Sequence, residues 1–466
     1  MDNVSLSKYL KDLFGGQFTD FMRARPEPKA VRVNTIKTTV SEFENKLLHW
    51  DVDFHRSGIN DLGIIINDDT LPLSHTLEFF RGNIQYQGLS SQIPSIVLNP
   101  RPGERILDLA AAPGSKSTQI AAMMQNQGQL VVNDASRSRH QPLNTNLQKA
   151  GAMIQYIYNL PGERLGKIFP DYFDKVLVDA PCTALGTLAT NPEIIKWWTP
   201  EKLEKLNSLQ GQLLISAVKA ARTGGEIVYS TCSVTPEENE LVIQSILEKY
   251  PVEVVEINIK KLAGFSGGIT EYKGRKINQE LNRAIRIMPH LHDMEGFFVV
   301  RLIKTGGVKS NRLSAGQGKK LTVDHNHESV KKGLESISET WGISSSYWRQ
   351  RRYLRTRNRI WMFNNNVESF PDEGFTNGGI LLGEEKLRMW KLTNQSVQLL
   401  SNLITRRRLE LTDAQLIELF SSGKLKTDDI EDDYFVLERH GNPFASVYND
   451  SGEMRIRLPH KFSLVL

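Results

Sequence analysis

From residue 104 to residue 304 the chain alternates short apolar runs with amphipathic ones, and this narrows the architecture more than any other feature. ERILDLAAAPGSKSTQIAAMM (104–124) reads as strand, turn and helix, GQLVVNDAS (128–136) as strand and turn, and DKVLVDAPC (174–182) as a strand. LNSLQGQLLISAVKAA (206–221) reads as a helix, GEIVYSTCS (225–233) as a strand and TPEENELVIQSILEKY (235–250) as a helix. Such alternation builds a mostly parallel sheet covered by helices on both faces. The fold class is therefore α/β. A last strand, EGFFVVRLIK (295–304), follows an irregular stretch without a clear crossover helix, so it is expected antiparallel at one side.

At 466 residues the chain is too long for one ordinary core. Residues 1–85 read as a small α+β domain: helix in SLSKYLKDLF, strand in VRVNT, helix in TTVSEFENKLLHW, extended pieces around FRGNIQYQ. The α/β pattern assigns 86–304 to a second domain, opened by a helix in SSQIPSIVLN. TGGVKSNRLSAGQGKK (305–320) has little to bury and marks a linker over 305–325. Residues 326–466 form a third region. Its end, YFVLERHGNPFASVYNDSGEMRIRL, shows three short strands broken by turn signals at 441–443 and 450–452, so a small β-rich module is expected there.

No apolar run approaches the roughly 20 residues that cross a bilayer, and the start lacks the basic-then-apolar pattern of a secretion signal. With only two cysteines, these features lead us to expect a cytoplasmic chain without a membrane partner. A net charge of +5 permits a nucleic-acid partner without demanding one. The histidines show no metal-ligand spacing, and no metal is assigned.

After strand residues Ile106, Leu107 and Leu109 comes a loop of small residues, Ala110, Ala111, Ala112, Pro113 and Gly114, then Ser115 and Lys116 at a helix start. Small side chains let a ligand approach the backbone, and the helix start offers free N–H groups. Asp134 ends the next strand, 134 − 114 = 20 residues after Gly114. An acid there accepts hydrogen bonds from a ribose diol. The loop lacks both G-x-G-x-x-G and G-x-x-x-x-G-K-[ST], so neither a dinucleotide nor a nucleoside triphosphate suits it. S-adenosylmethionine carries an adenosine but no phosphates, and it needs the acid without a pyrophosphate cradle. The plain alternative is a tight strand–helix turn with a solvated Asp134.

The two cysteines, 232 − 182 = 50 residues apart, each follow a strand. Cys182 ends Asp179-Ala180-Pro181-Cys182. Cys232 precedes a helix start marked by Thr235 as cap, Pro236 in the first turn and Glu238 as capping-box partner. Both thus stand at carboxyl ends of strands, the edge of an open α/β sheet where ligands bind. Isolated cysteines are more often small buried hydrophobes; two at one such edge point to chemistry. A thiolate serves a methyl transfer when the target carbon is not itself nucleophilic, as with C5 of cytosine. Addition at C6 makes C5 enamine-like, and a carboxyl group hydrogen-bonded to N3 favours that addition. A base must then remove the C5 proton before the sulfur can leave.

Taken together, ILDLAAAPGSKSTQIA, VLVDAPC, GGEIVYSTCSVTPEENE and IMPHLHDMEGFFVVRLIK resemble the RNA cytosine-5 methyltransferases of the Fmu/Sun type, from about Val31 to about Lys304. Length and the β-rich end are similar to the bacterial branch that modifies 16S ribosomal RNA near the decoding centre. The resemblance implies a Rossmann-like methyltransferase core, an RNA-binding N-terminal domain and a PUA-like RNA-binding C-terminal module. It implies S-adenosylmethionine as cofactor, held by residues 110–116 and Asp134, with Asp179 between cofactor and target base. It further implies Cys232 as nucleophile and Cys182 as the group that assists release. A monomer acting on 16S rRNA or the small ribosomal subunit is expected; a transfer-RNA enzyme and a ribosome-assembly RNA-binding protein are the alternatives.

Some positions depart from that family pattern. An aspartate near the adenine is replaced by YNLPGE, leaving Asn159 or nothing in that role. Ser-Gly-Glu-Gly after Pro-Cys is Thr183-Ala184-Leu185-Gly186, and the following Arg-Lys is Thr190-Asn191. In the third region, YWRQRRYLRTRNRIWMF (347–363) interleaves six arginines with five aromatics, a composition suited to phosphates and unpaired bases. The plain alternative there is a solvated basic face over core aromatics.

Overall fold

The computed structural model describes residues 3–67, 71–308, 321–364, 370–386, 389–427, 430–458 and 461–465. Most of the stretch read as a linker, 309–320, lies outside them.

The α/β pattern folds into a central sheet whose main strands are β1 (Arg105–Asp108), β2 (Gln129–Asn133), β3 (Gln155–Tyr158), β4 (Phe173–Asp179), β5 (Ala221–Thr231), β6 (Val252–Val255), β7 (Ile285–Ile287), β8 (Phe297–Lys304) and β9 (Phe375–Gly378). Their order is β7-β8-β5-β4-β1-β2-β3-β9, with a two-residue strand at 266–267 beside β7 and β6 also paired to β8. The five strands β5-β4-β1-β2-β3 are parallel. The chain leaves β1 for β2 on one side and reaches β4 on the other. This reversal opens a crevice at the carboxyl ends of β1 and β4.

Alternation along the strands supplies two cores. Ile106, Leu130, Val132, Ile157, Leu177 and Val228 pack with α1 (Leu89–Leu98), α2 (Ser115–Met123) and α3 (His140–Ala150). Leu107, Val131, Tyr156, Val176, Val178 and Ile227 face the other way, onto α4 (Pro200–Ala220) and α5 (Glu240–Leu247). Every residue of β2 and β3 is buried, as strands covered on both faces require.

Three features differ from the sequence reading. β8 is antiparallel to β5, as expected, but it is an interior strand, because β6 and β7 pair along its far side. β9 comes from beyond the linker and pairs antiparallel with β3, closing the other edge of the sheet. Nothing in its FTNG marks a strand; the open edge of β3 recruits it. Finally, α5 begins at Glu240 rather than at Thr235. The Thr235 backbone N–H donates to Ser233 Oγ at 3.3 Å, so Glu238 does not complete a capping box.

The N-terminal unit has a four-stranded antiparallel sheet with the helix Val40–His49, whose Thr39 forms a complete capping box with Glu42. Buried Arg32 joins this unit to the α/β core, donating to Gln87, Gln85 and Thr118 of α2. The C-terminal region holds a four-stranded and a five-stranded sheet. The expected strands near the end are Tyr434–Arg439, Asn442–Asp450 and Glu453–Arg455. In the arginine-rich stretch, Trp348, Tyr353, Trp361 and Phe363 are buried. These four rings are core, not a stacking surface for bases. Among its arginines, Arg355 pairs with Glu385 and Arg359 with Glu384.

Candidate active site

β1 ends at Asp108 and the chain turns through Leu109–Gly114 into α2. Ala111 donates to Asn133 O at 2.8 Å, and Ala112 donates to Asp134 Oδ2 at 3.1 Å. Gly114 has φ +103°, and a Cβ there would stand 2.9 Å from a Leu143 methyl, so the turn needs glycine twice over. Asp134, at the end of β2, accepts a second hydrogen bond from Ser136 N at 2.9 Å. Asn159 donates its side-chain amide to the Asp134 carbonyl at 2.7 Å, fixing the same turn from below.

On the other side of the switch point, β4 and β5 run in parallel register with Asp179 opposite Ser230. Asp179 Oδ1 accepts from Ser230 Oγ at 2.8 Å, and Oδ2 pairs with Lys116 Nζ at 2.8 Å. Lys116 also donates to Ser91 Oγ at 3.0 Å. Just beyond, the Cys182 and Cys232 sulfurs are 3.4 Å apart. Contact with Cys232, then burial, push the Cys182 thiol well up from its ordinary pKa, which keeps it protonated near neutrality. The carbonyl of Cys232 accepts from Gly186 N at 3.0 Å, tying the two cysteine turns together.

A cavity of about 360 Å³ unites these pieces. Ala110, Ala112, Asp134 and Asp179 line it together with both cysteines, with Arg139, Gly162, Glu163, Leu209 and Leu213 among the other walls. Of the other loop residues singled out in the sequence, Ala111, Pro113, Gly114, Ser115 and Lys116 do not line it. Ser115 instead borders a separate cavity with Gln85 and Tyr86, and Lys116 turns to Asp179. The chemistry of the lining suits an adenosine-bearing cofactor: a carboxylate for ribose hydroxyls, and alanines and Gly162 small enough to admit a flat ring, in the same cavity as the thiols. A Cβ at Gly162 would stand 2.6 Å from a Leu213 methyl and 2.7 Å from a Leu109 methyl, so a larger residue there requires both leucines to shift.

Sequence reasoning missed Ser230 and Ser91 as partners of the Asp179–Lys116 pair. Ser230 was within reach, because pairing β4 with β5 at the matched motifs sets it opposite Asp179. Ser91 was not, since it comes from α1, far from any motif. Among the described residues, no cluster of three or more histidine, cysteine or acidic side chains could hold a metal ion. No helix among them is long and apolar enough to cross a membrane.

Residues 95–303 match the family described as 16S rRNA methyltransferase RsmB/F. The ribosomal RNA small subunit methyltransferase F of Escherichia coli O157:H7 is 30% identical over 438 residues, 91% of this chain and 88% of that protein. The 26S rRNA (cytosine-C(5))-methyltransferase nsun-1 of Caenorhabditis elegans is 32% identical over 310 residues, which are 65% of this chain and 46% of that protein. The chain thus spans about half the length of the nematode relative. A crystal structure of a methyltransferase homolog protein from Pyrococcus horikoshii superposes with a TM-score of 0.58 at 31% identity, covering 64% of this chain and 93% of that one.

Proposed function

The chain belongs to the RsmB/F family of 16S rRNA methyltransferases, which makes it an S-adenosylmethionine-dependent RNA methyltransferase, and we propose that it methylates C5 of cytosine in small-subunit ribosomal RNA through a covalent bond to Cys232. The observation that carries this reading is the 3.4 Å approach of two thiols inside the cavity that also holds Asp134 and Asp179. When bound, the cofactor supplies an electrophilic methyl group. Asp134 holds the ribose, and Ala110, Ala112 and Gly162 leave room for the adenosine.

Cys232 attacks C6 of the base as thiolate. Asp179, positioned by Ser230 and Lys116, donates a proton to N3 as the thiolate adds and takes it back as C5 attacks the methyl group, so no net charge builds up on the ring. After transfer, the C5 proton passes to the Cys182 sulfur, whose own proton has gone to solvent. The C–H electrons restore the C5–C6 double bond, and the sulfur of Cys232 departs with its pair. A buried thiol that resists ionisation is a poor first attacker, and its thiolate, once formed, is a strong base for that proton. The cysteine after Ser230-Thr231 is the nucleophile in the RNA branch of the resemblance, which supports this division of roles.

The N-terminal unit (1–85) and the C-terminal region (326–466) are taken as holding the RNA. The resemblance to the bacterial branch extends the proposal to a cytosine near the decoding centre, with the chain acting as a cytoplasmic monomer. The test is incubation with labelled S-adenosylmethionine and three RNAs: small-subunit rRNA, assembled small subunits and bulk transfer RNA. Label recovered as 5-methylcytidine from the ribosomal RNA supports the reading. Label only from transfer RNA, or none from any RNA, overturns it.

A further inference from the structure

Glu238 is the residue whose job the sequence misassigned. It is fully buried, six residues after Cys232, and its carboxylate collects four hydrogen bonds. Oε1 accepts from Thr183 N at 2.8 Å and from Gln210 Nε2 at 3.0 Å. Oε2 accepts from Thr235 Oγ1 at 3.0 Å and from Thr183 Oγ1. A carboxylate has about four acceptor sites, so none is left over for a substrate. Glu238 also does not line the cavity that holds the thiols. Any influence on the reaction passes through the groups it holds.

Those groups are anchored in different ways. The Cys232 turn has several ties of its own. Thr231 Oγ1 donates to Asn239 at 2.6 Å, and Asn239 returns a bond to Ser233 O at 3.1 Å. Arg286 grips Glu240 at 2.6 and 2.7 Å and donates as well to Val234 O. The Cys182 turn is held at its flanks by Ala180 N to Ser230 O at 2.9 Å and Gly186 N to Cys232 O at 3.0 Å. Gln210 reaches Pro181 O at 2.9 Å on one side, and Thr183 is held on the other by Glu238 and by Ser233 Oγ at 3.2 Å. Beyond Thr183 the chain enters a left-handed turn at Ala184, φ +56°. The carboxylate of Glu238 is therefore the main tie on the residue that directly follows Cys182.

We propose that Glu238 is a positioning residue that fixes the Cys182 thiol against Cys232, and that it thereby governs release of the methylated base more than the initial attack. The inference rests on the roles given to the two thiols above. Loss of the tie leaves Cys232 in place while the Cys182 turn drifts, so attack and methyl transfer proceed and the covalent species persists.

The experiment uses the full chain in three forms: wild type, Glu238→Gln and Thr183→Val. Glutamine offers one acceptor and one donor where four donors converge; valine removes only the Thr183 hydroxyl and matches its shape, so it serves if the first variant fails to fold. The first readout needs neither RNA nor cofactor. Diamide takes two electrons and two protons from the thiols, becoming a hydrazine as the Cys182–Cys232 disulfide forms. With two cysteines in the chain, loss of both titratable thiols without a dimer reports that bond alone. The variants are expected to close it about 10-fold more slowly than wild type. The second readout is the ratio of denaturation-resistant protein–RNA adduct to released 5-methylcytidine, expected to rise on the order of 10-fold in both variants. A purely structural role would lower adduct and product together and leave that ratio alone. Disulfide closure at the wild-type rate in both variants, or no closure in wild type, overturns the positioning role. Slower closure with no adduct or product from any form, wild type included, leaves the positioning role standing and defeats the RNA reading instead.

Discussion

Lys116 Nζ stands 2.8 Å from Asp179 Oδ2, although the loop motif that contains Lys116 reads as a cofactor clasp. The ammonium also takes Ser91 and lies 5.2 Å above the Phe297 ring. It therefore serves the acid beside the thiols. Replacing Lys116 by Met removes a charge-assisted hydrogen bond worth about 1.5–3 kcal/mol, and kcat is expected to fall about 10- to 100-fold. Asp179→Asn is expected to cost more, about 10²- to 10⁴-fold, as loss of acid–base assistance does. Steady-state methylation of ribosomal RNA measures both; wild-type kcat in Lys116→Met contradicts the assignment.

At the cofactor end, Asn159 donates to the backbone of Asp134, whose carboxylate in turn holds Ala112 N. Restoring the family aspartate by Asn159→Asp puts an acceptor against that carbonyl. It is expected to weaken S-adenosylmethionine binding, not to improve it. Asp134→Ala is expected to weaken it by about 10- to 100-fold through loss of the ribose contacts proposed for that acid. Calorimetric titration of the two variants decides; tighter binding by Asn159→Asp sinks this view of the turn.

Asp108 lies beneath the same loop, with Ser117 Oγ 2.6 Å from one carboxyl oxygen and no partner for the other among the described residues. Burial pushes its pKa up from 3.8 to about 7, against the pull of the Ser117 hydrogen bond. Between these values the native chain keeps a proton that the unfolded chain has released. Stability therefore falls as pH rises through that window, and the penalty is complete above the native pKa. Asparagine carries no such penalty. Asp108→Asn is expected to gain about 3 kcal/mol relative to wild type between pH 5 and pH 8. Denaturant unfolding at both pH values checks it; a difference independent of pH contradicts it.

The pairing of β9 with β3 makes the third region part of the sheet. Gly379 O accepts from both Gln148 and Gln155, and Tyr156 stacks on Phe370 at 4.2 Å and on Phe363 at 5.3 Å. Removing everything after Lys304 strips that cover and bares a strand edge. The shortened chain is expected to aggregate on gel filtration and to melt at least several degrees lower. A monodisperse product with unchanged melting contradicts an integral role for β9.

Much of this was legible because motifs and periodicity act locally. RILDLAAAPG has to be a strand and a tight turn, and VLVDAPC and IVYSTCS have to end at the same edge once the strands are parallel. The pairing of Asp179 with Lys116 was not legible, because α2's first turn can aim a lysine at a cofactor or across the switch point, and only the packed sheet chooses. Glu238 was misread for the opposite reason. Its spacing from Thr235 matches a capping box, yet a nearby threonine on another loop offered two donors. The aromatics of 347–363 follow the ordinary economics of burial: Trp348, Tyr353, Trp361 and Phe363 sink into the core, leaving the arginines outside. β9 has almost no sequence signal, since its order comes from β3.

The central claim is that Cys232 forms the bond to RNA and Cys182 undoes it. The most direct measurement incubates small-subunit rRNA and labelled S-adenosylmethionine with wild type, Cys182→Ala and Cys232→Ala, then resolves each on a denaturing gel. The account predicts methylated product from wild type, a stable protein–RNA adduct from Cys182→Ala, and neither product nor adduct from Cys232→Ala. An adduct that survives loss of Cys232 and vanishes with loss of Cys182 would reverse the two roles and contradict it.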